Sequence, residues 1–415
     1  MKILILHRIP YHKINYAKGI DHERHDVVYI GTTTALANIP KDLRCRKVER
    51  EGKGSAADET LQLAANGLFT DGLPEQIISL SEYELLDAAR LREKLGVRGA
   101  GVNDVLLVRD KVMMKAAVQK SGLRVPLHLG CDDPDWLTNL PWQGATVLKP
   151  RDGASSENVK LFPSYQAAHS AIINGKSGIE GFNQKTFELE EYVDGPILHI
   201  DGLISEGQIQ CWLPSRYVGT CLRYAEGEPL GSVQIAATDE LDNWTKRILQ
   251  AVRINDGSFH LEAIESANGL VFLDVANRVG GADVVDTFEM ATGVYLPAAE
   301  LALRIGDRHM YDVRAVASPP RKYFGWFVFP GHHLPPGSAR FTGLTFFERD
   351  RKIVRLNKLM DRPLPRQITY QSVEVPLAGV VESDSTEELS DWMNHFLHAV
   401  EIHSSADKKE LACLS

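Results

Sequence analysis

The chain is poor in the features that mark a secreted or membrane-bound protein. Its five cysteines, Cys45, Cys131, Cys211, Cys221 and Cys413, are odd in number and include no Cys-x-x-Cys pair. That argues against a disulfide framework and a structural zinc site, and buried thiols are expected instead. No apolar run approaches the roughly 18 residues of a membrane span, and residues 3–6 are too short for a signal-peptide core. A cytoplasmic protein with no membrane contact is expected. A formal charge of −9 over 415 residues argues against a nucleic-acid partner but leaves room for a local basic cleft that takes an anion. Two phosphate-binding signatures are also missing: no Gly-x-Gly-x-x-Gly follows the first apolar run, and no Gly-x-x-x-x-Gly-Lys-[Ser/Thr] occurs. The common dinucleotide fingerprint and the P-loop are thereby excluded.

What is present is ordinary globular composition, 44% apolar and 24% charged, over a length that suggests roughly two to four lobes. The first hundred residues alternate short apolar runs, at 2–7, 26–31 and 76–80, with helical stretches such as 82–95. This α/β pattern predicts a parallel sheet covered by helices. The first run ends in HRIPYHK, residues 7–13, either a contact for an anionic substrate or a polar loop.

Arg109-Asp110-Lys111 opens a helix expected to reach residue 121, with Gly122 as its stop and Pro126 beyond. Lys111 and Lys115 lie four apart on one face, which by default is solvated. Residues 145–158, ATVLKPRDGASSEN, join a strand ending in Lys149-Pro150 to a loop of small residues, Gly153-Ala154-Ser155-Ser156. Backbone N–H groups in such a loop can close over phosphates, and Lys149 adds a point charge. Strands are expected over 186–194 and 199–204. Residues 214–231, with Pro214, Gly219, Gly227 and Gly231, read as too broken for regular structure. Within them Arg216 is either an anion clamp or a surface arginine. A helix is expected over 243–251.

The densest chemistry lies in residues 257–281, GSFHLEAIESANGLVFLDVANRVGG, where two apolar runs flank Asn268-Gly269, a strong hairpin signal. Register decides what the acids can do. A two-residue turn at 268–269 pairs Glu262 with Val275 and sends Glu262 and Asp274 to opposite faces. A three-residue loop, 267–269, pairs the two acids directly. Opposed carboxylates repel unless a cation lies between them, and magnesium suits such a site. Asn277 could add a neutral oxygen, and Arg278 could hold a phosphoryl group or carboxylate by its bidentate fork. The alternative is a half-exposed hairpin whose acids face water. His199 and His260 either touch substrate or metal or are core histidines satisfied by neighbours. Further on, a helix is expected over 294–304, a boundary at Pro319-Pro320, a strand over 323–329 and a final helix over 386–402. His332-His333 read as loop histidines, and the tail from Ser404 as frayed.

Five motifs in order carry a resemblance. Arg109-Asp110-Lys111, Leu148-Lys149-Pro150 with its small-residue loop, Glu190-Glu191-Tyr192-Val193-Asp194-Gly195, His260-x-Glu262 and Asp274-x-x-Asn277-Arg278 together resemble the ATP-grasp family. The similarity covers roughly residues 100–305 and is strongest to carboxylate–amine ligases, including L-amino-acid ligases and relatives that build antibiotic dipeptides or load carrier proteins. It implies an α/β fold with α+β lobes: a Rossmann-like N-terminal domain (1–104), a small lobe (105–195), a large lobe with the hairpin (196–318) and a small C-terminal subdomain (319–415). It also implies that Lys111 and Lys149 contact ATP phosphates under the loop of Gly153, Ser155 and Ser156. Glu190, Glu191, Tyr192 and Val193 would grip adenine. Glu262 and Asp274 would hold magnesium, or manganese in its place, with Asn277 joining a second ion, and Arg278 would stabilise an acyl phosphate, with Arg216 a second candidate catalytic residue. Two positions depart from the pattern: Ile197 stands where many members carry a ribose-binding glutamate, and Asp274 replaces the usual glutamate. The implied activity is ADP-forming ligation of a small-molecule carboxylate, that of an amino acid, to an amine. A carrier protein as acceptor and a nucleotide-binding module without turnover are the alternatives, and a homodimer is compatible.

Overall fold

A computed structural model describes residues 1–134, 142–154, 156–307 and 322–406. The chain opens with a parallel sheet of β1 (Lys2–Leu6), β2 (Asp26–Gly31), β3 (Arg46–Glu49) and β4 (Gln76–Ile78), in the order β3-β2-β1-β4. Strand β1 is an unbroken apolar run because both of its faces are covered. Ile3 and Ile5 meet Tyr16, Tyr29 and Leu301 on one side, while Leu4 and Leu6 meet Val28, Ile30 and Leu91 on the other. Leu301 belongs to the helix Leu296–Ile305, which ties this sheet to the rest of the molecule.

The helix Lys111–Lys120 starts where expected, because the Asp110 carboxylate accepts from the backbone N–H groups of Val112 and Met113, both at 3.0 Å. It faces a four-stranded antiparallel sheet of β5 (His128–Gly130), β6 (Thr146–Pro150), β7 (Lys160–Phe162) and β8 (Phe187–Glu191), ordered β5-β8-β6-β7. Trp142, Tyr165, Leu148 and Leu189 form its core.

The largest element is an eight-stranded antiparallel sheet. It contains β9 (Ile197–Ser205), β10 (Gln208–Val218), β11 (Leu230–Gln234), β12 (Gly257–Ser266), β13 (Gly269–Ala276) and β14 (Tyr323–Phe329). After β15 (Ala339–Thr342), β16 (Ile353–Lys358) and β17 (Leu377–Ser383) complete it, in the order β13-β12-β9-β10-β11-β14-β17-β16. Finally β18 (Glu401–Ser404) pairs with β15.

Three expectations are corrected here. First, the C-terminal strands are not a separate subdomain, since β14 pairs with β11 and extends the large lobe's sheet. Strand β14 is apolar on both faces and needs cover on both. Phe327 and Phe329 lie under Met393 and Phe396 of the helix Thr386–Ala399, and Trp326 and Val328 lie against Val284 of the helix Val284–Thr292. The boundary at Pro319-Pro320 lies outside the described residues. Second, residues 214–231 are regular. Gly219 and Gly227 (φ +88° and +111°) sit in turns between elements, and Gly231 lies within β11 because a Cβ there would come 2.8 Å from the Met393 sulfur. Third, the last helix stops at Ala399. Val400 is extended (φ −103°, ψ 128°), and the next residues form β18, so Ser404 is buried in a strand, while the tail beyond residue 406 lies outside the described residues. The helix expected over 243–251 starts earlier, at Asp239, where the Thr238 hydroxyl caps it. No helix among the described residues is long and apolar enough to cross a membrane.

Candidate nucleotide and ligation site

The hairpin pairs Glu262 with Asp274, by a route different from the one expected. The turn is Ala267-Asn268, closed by Ser266 opposite Gly269, and not the three-residue loop 267–269. A bulge then leaves Leu273 without a partner, and that extra residue moves Asp274 opposite Glu262. Asp274 lies 2.8 Å from the Lys111 ammonium. Burial raises its proton affinity, but the charges of Lys111 and Lys149 outweigh burial and hold its pKa at about 2.

Glu262 accepts a 3.0 Å hydrogen bond from the Tyr217 hydroxyl and lies 3.6 Å from His260 Nε2. The Nδ1 atoms of His260 and His199 lie 2.8 and 2.6 Å from the two oxygens of Asp201, and His199 Nε2 lies 2.6 Å from the Ser232 hydroxyl. Burial alone would lower the His260 pKa. The Asp201 carboxylate overrides it, raising that pKa to about 10, so an imidazolium faces Glu262. Glu262 is in turn held below the usual carboxylate range despite burial. The ligand atoms of His199, Asp201 and His260 are close enough to hold a metal, but Asp201 already spends both oxygens on the imidazoles. The two histidines are thus satisfied by a neighbour, as one of the two readings had it.

The opposite wall comes from the small lobe. Lys149 reaches both Glu190 oxygens, at 2.9 and 2.8 Å. Behind it Lys115 is fully buried, 2.5 Å from Glu188 and 2.6 Å from Glu190. Lys115 was expected on a solvated face, and the structure corrects this. Spacing of four fixes which face two lysines share, but only the strand packed there decides whether it is dry. The signal lay in the alternating acids Glu188 and Glu190 of β8, which share one face of a strand. Burial raises the Glu190 pKa, but Lys115 and Lys149 more than offset it and hold it at about 2. Glu190, Glu191, Tyr192, Val193, Gly153 and Ser156 all line the same cavity, and Lys111 donates to the Gly153 carbonyl at 3.2 Å. Ser155 lies outside the described residues.

Arg278 enters from the end of the hairpin, bonded to Glu82 at 2.6 Å and to the Val279 carbonyl at 2.7 Å. Glu82 comes from the N-terminal domain and also pairs with Arg109. No sequence signal pointed to it. Two candidates are not brought to the cavity. Arg216 pairs with Glu265 at 2.7 Å, because Tyr217 faces the cavity and its strand neighbour must face away. Asn277 lies just past β13 and donates to the backbone carbonyls of Ser258 and Asp256, at 2.8 and 3.2 Å. In the 7–13 segment His7 sits buried between Tyr16 and Tyr29, its pKa lowered to about 4 by burial. Arg8 lies over the Tyr83 ring. None of these lines the cavity. His332 bonds the Ala225 carbonyl, as a loop histidine does.

The cavity encloses about 490 Å³, within the range of roughly 300–1,000 Å³ typical of small-molecule sites. A parallel N-terminal domain, two antiparallel lobes and a cleft between them lined by lysines and opposed acids define the ATP-grasp fold, whose members bind ATP with magnesium. In sequence the chain is similar to L-amino-acid ligases over part of its length. It is 25% identical over 268 residues to an L-arginine-specific L-amino acid ligase of Bacillus subtilis, covering 62% of this chain and 63% of that protein. It is 26% identical over 143 residues to dapdiamide A synthase of Enterobacter agglomerans, covering 33% of this chain and 34% of that protein. The matched segments therefore span less than two thirds of these curated relatives. An L-amino acid ligase from Bacillus licheniformis shares the fold over 97% of this chain and 98% of its own, with a TM-score of 0.70 at 17% identity. No family model matches the chain.

Proposed function

We propose that the protein is an ADP-forming ligase that activates the carboxylate of an amino acid as an acyl phosphate and joins it to an amine. The observation that carries this reading is the opposition of Glu262 and Asp274 inside a cavity that also holds Lys111, Lys149 and Arg278. Two carboxylates on adjacent strands fit a hard cation that keeps water and phosphate oxygens in its remaining positions. Glu262 and Asp274 would hold magnesium there, and the ion would supply positive charge to offset the negative charge developing at the transferring phosphoryl group.

The chain's own groups do the rest by position and charge. Lys149 and Lys111 meet the phosphates beneath the loop containing Gly153 and Ser156, and residues 190–193 flank the base. Arg278, oriented by Glu82, holds the substrate carboxylate so that its oxygen attacks the γ-phosphorus while the bond to the β-phosphate oxygen breaks. The amine then attacks the acyl carbon, inorganic phosphate leaves, and the ammonium proton passes to solvent. No protein nucleophile is needed.

The test is a panel of amino acids with ATP, magnesium and hydroxylamine, scoring nucleotide products and hydroxamate. ADP, phosphate and hydroxamate are expected. Release of AMP and pyrophosphate would place the enzyme in an adenylating class and remove the acyl phosphate.

A further inference from the structure

One face of the large sheet changes character from edge to interior. Asp274 on β13 opposes Glu262 on β12, which opposes His199 on β9. His199 opposes Ser215 on β10, and Tyr217, two residues on, shares that face. Tyr217 opposes Ser232 on β11, which opposes Trp326 on β14. Carboxylates thus give way to imidazoles, and imidazoles to a phenol and an indole. The Tyr217 and Trp326 rings are 6.2 Å apart and edge-on, and Tyr217 also touches Glu262 through its hydroxyl. Cys221 hydrogen-bonds with both Tyr217 and Tyr370, and these residues, with Leu222 and Leu230, line the cavity that holds Glu262 and Arg278. Burial and the nearby Glu262 charge keep the Cys221 thiol protonated, outweighing its hydrogen bonds with Tyr217 and Tyr370, so it packs as a small group.

The charges near this end are already engaged. Arg223 and Glu226 line the cavity, but both are well exposed and lie 3.4 Å from each other, with Glu228 3.6 Å from the same arginine. Glu262 is taken by Tyr217, His260 and the metal role assigned above. A guanidinium could stack on Trp326, but its donors would have to compete with Arg223 for Glu226 and with Tyr217 for Glu262. A buried charge without a partner is strongly disfavoured.

We infer that the end of the cavity walled by Tyr217, Trp326, Tyr370, Cys221 and Leu230 receives the side chain of the amino acid whose carboxylate is activated, and that it selects apolar side chains, aromatic and branched aliphatic, over cationic or acidic ones. This rests on the ligase reading of the same cavity. It separates the protein from the curated relative whose name specifies L-arginine.

The experiment measures ADP release and hydroxamate formation for all proteinogenic amino acids, with ATP binding followed separately by calorimetry. Phenylalanine, leucine and methionine should exceed arginine, lysine, aspartate and glutamate in kcat/KM by about 100-fold or more, the scale on which pockets discriminate unmatched side chains. Trp326→Ala should raise KM for phenylalanine about tenfold or more with ATP affinity unchanged, and Trp326→Phe should restore most of the loss. Because Trp326 is also packed in the core, Cys221→Phe provides a second probe that fills the subsite instead of emptying it. It should reduce kcat/KM for phenylalanine about tenfold more than for alanine. Preference for a charged amino acid, or loss in Cys221→Phe that is independent of substrate size, overturns the subsite. ATP binding with no ADP release for any amino acid would refute the ligase reading itself, and the subsite would fall with it.

Discussion

Lys115, Lys149, Glu188 and Glu190 form two positive and two negative charges that close on themselves at the small-lobe wall, whereas Glu262 and Asp274 form a like-charged pair on the facing hairpin. The first set is buried and internally matched, with Lys115 and Glu188 fully out of solvent. The second keeps side-chain exposures of 21% and 32% and borrows its compensation from His260 and Lys111. A closed set holds Lys149 in place at the cavity wall, with its charge already matched by Glu190 before a ligand arrives. The open pair retains capacity for a ligand's charge, and this difference separates scaffolding from a binding site within one cavity.

Breaking the closed set should produce the largest effect. Lys115→Met leaves two buried carboxylates facing a single lysine, and should cost about 3–5 kcal/mol in denaturant unfolding. A change below about 1 kcal/mol would mean that the lysine is solvated after all. The set should also respond to pH in a defined way. Glu190 is depressed from 4.5 to about 2, so its contribution is present above its unfolded value and lost as pH falls toward its folded one. The stability gap between wild type and Glu190→Gln should therefore be widest near neutrality and narrow through that acidic window.

The open pair should instead trade function for little stability. Asp274→Asn keeps size and shape, and should lower ligation on the order of 10²–10³-fold, with a shifted magnesium requirement and a near-native unfolding midpoint. Near-normal turnover at limiting magnesium would remove the shared-metal role. The smallest effect belongs to Arg216→Ala. Its pair with Glu265 is substantially exposed, so stability should move by at most about 1 kcal/mol and ligation kinetics should stay near wild type. A large loss of kcat with unchanged folding would return Arg216 to the site.

The parts of this arrangement that could be read in the sequence were those fixed by local order. Asp110 announces its helix, and the motif residues Lys149, Glu262, Asp274 and Arg278 are chemistry-bearing types at fixed spacing that the fold brings to one cavity. What escaped was set by distant partners or by single-residue geometry. The Glu82 contact to Arg278 spans 196 residues. The dryness of Lys115 depends on β8, and the union of β14 with β11 joins segments that no local pattern links. Asn277 and Arg216 are instructive in the other direction. Each has suitable chemistry, but the pleat and the end of a strand point the side chain elsewhere. The opposition of Glu262 and Asp274 was anticipated, yet the bulge at Leu273 that creates it was not.

The sheet that carries the acids also carries Trp326, through one continuous ladder from β13 to β14, whereas Lys149 and the loop over the phosphates belong to a different ladder. The span between the activated carboxylate and the wall behind it is thus a rigid gauge. If the proposed ligase exchanges nucleotide by tilting the smaller sheet, no strand pairing has to break, because the two sheets share no strand. Under that proposal the site opens for ADP without altering the spacing that measures the substrate.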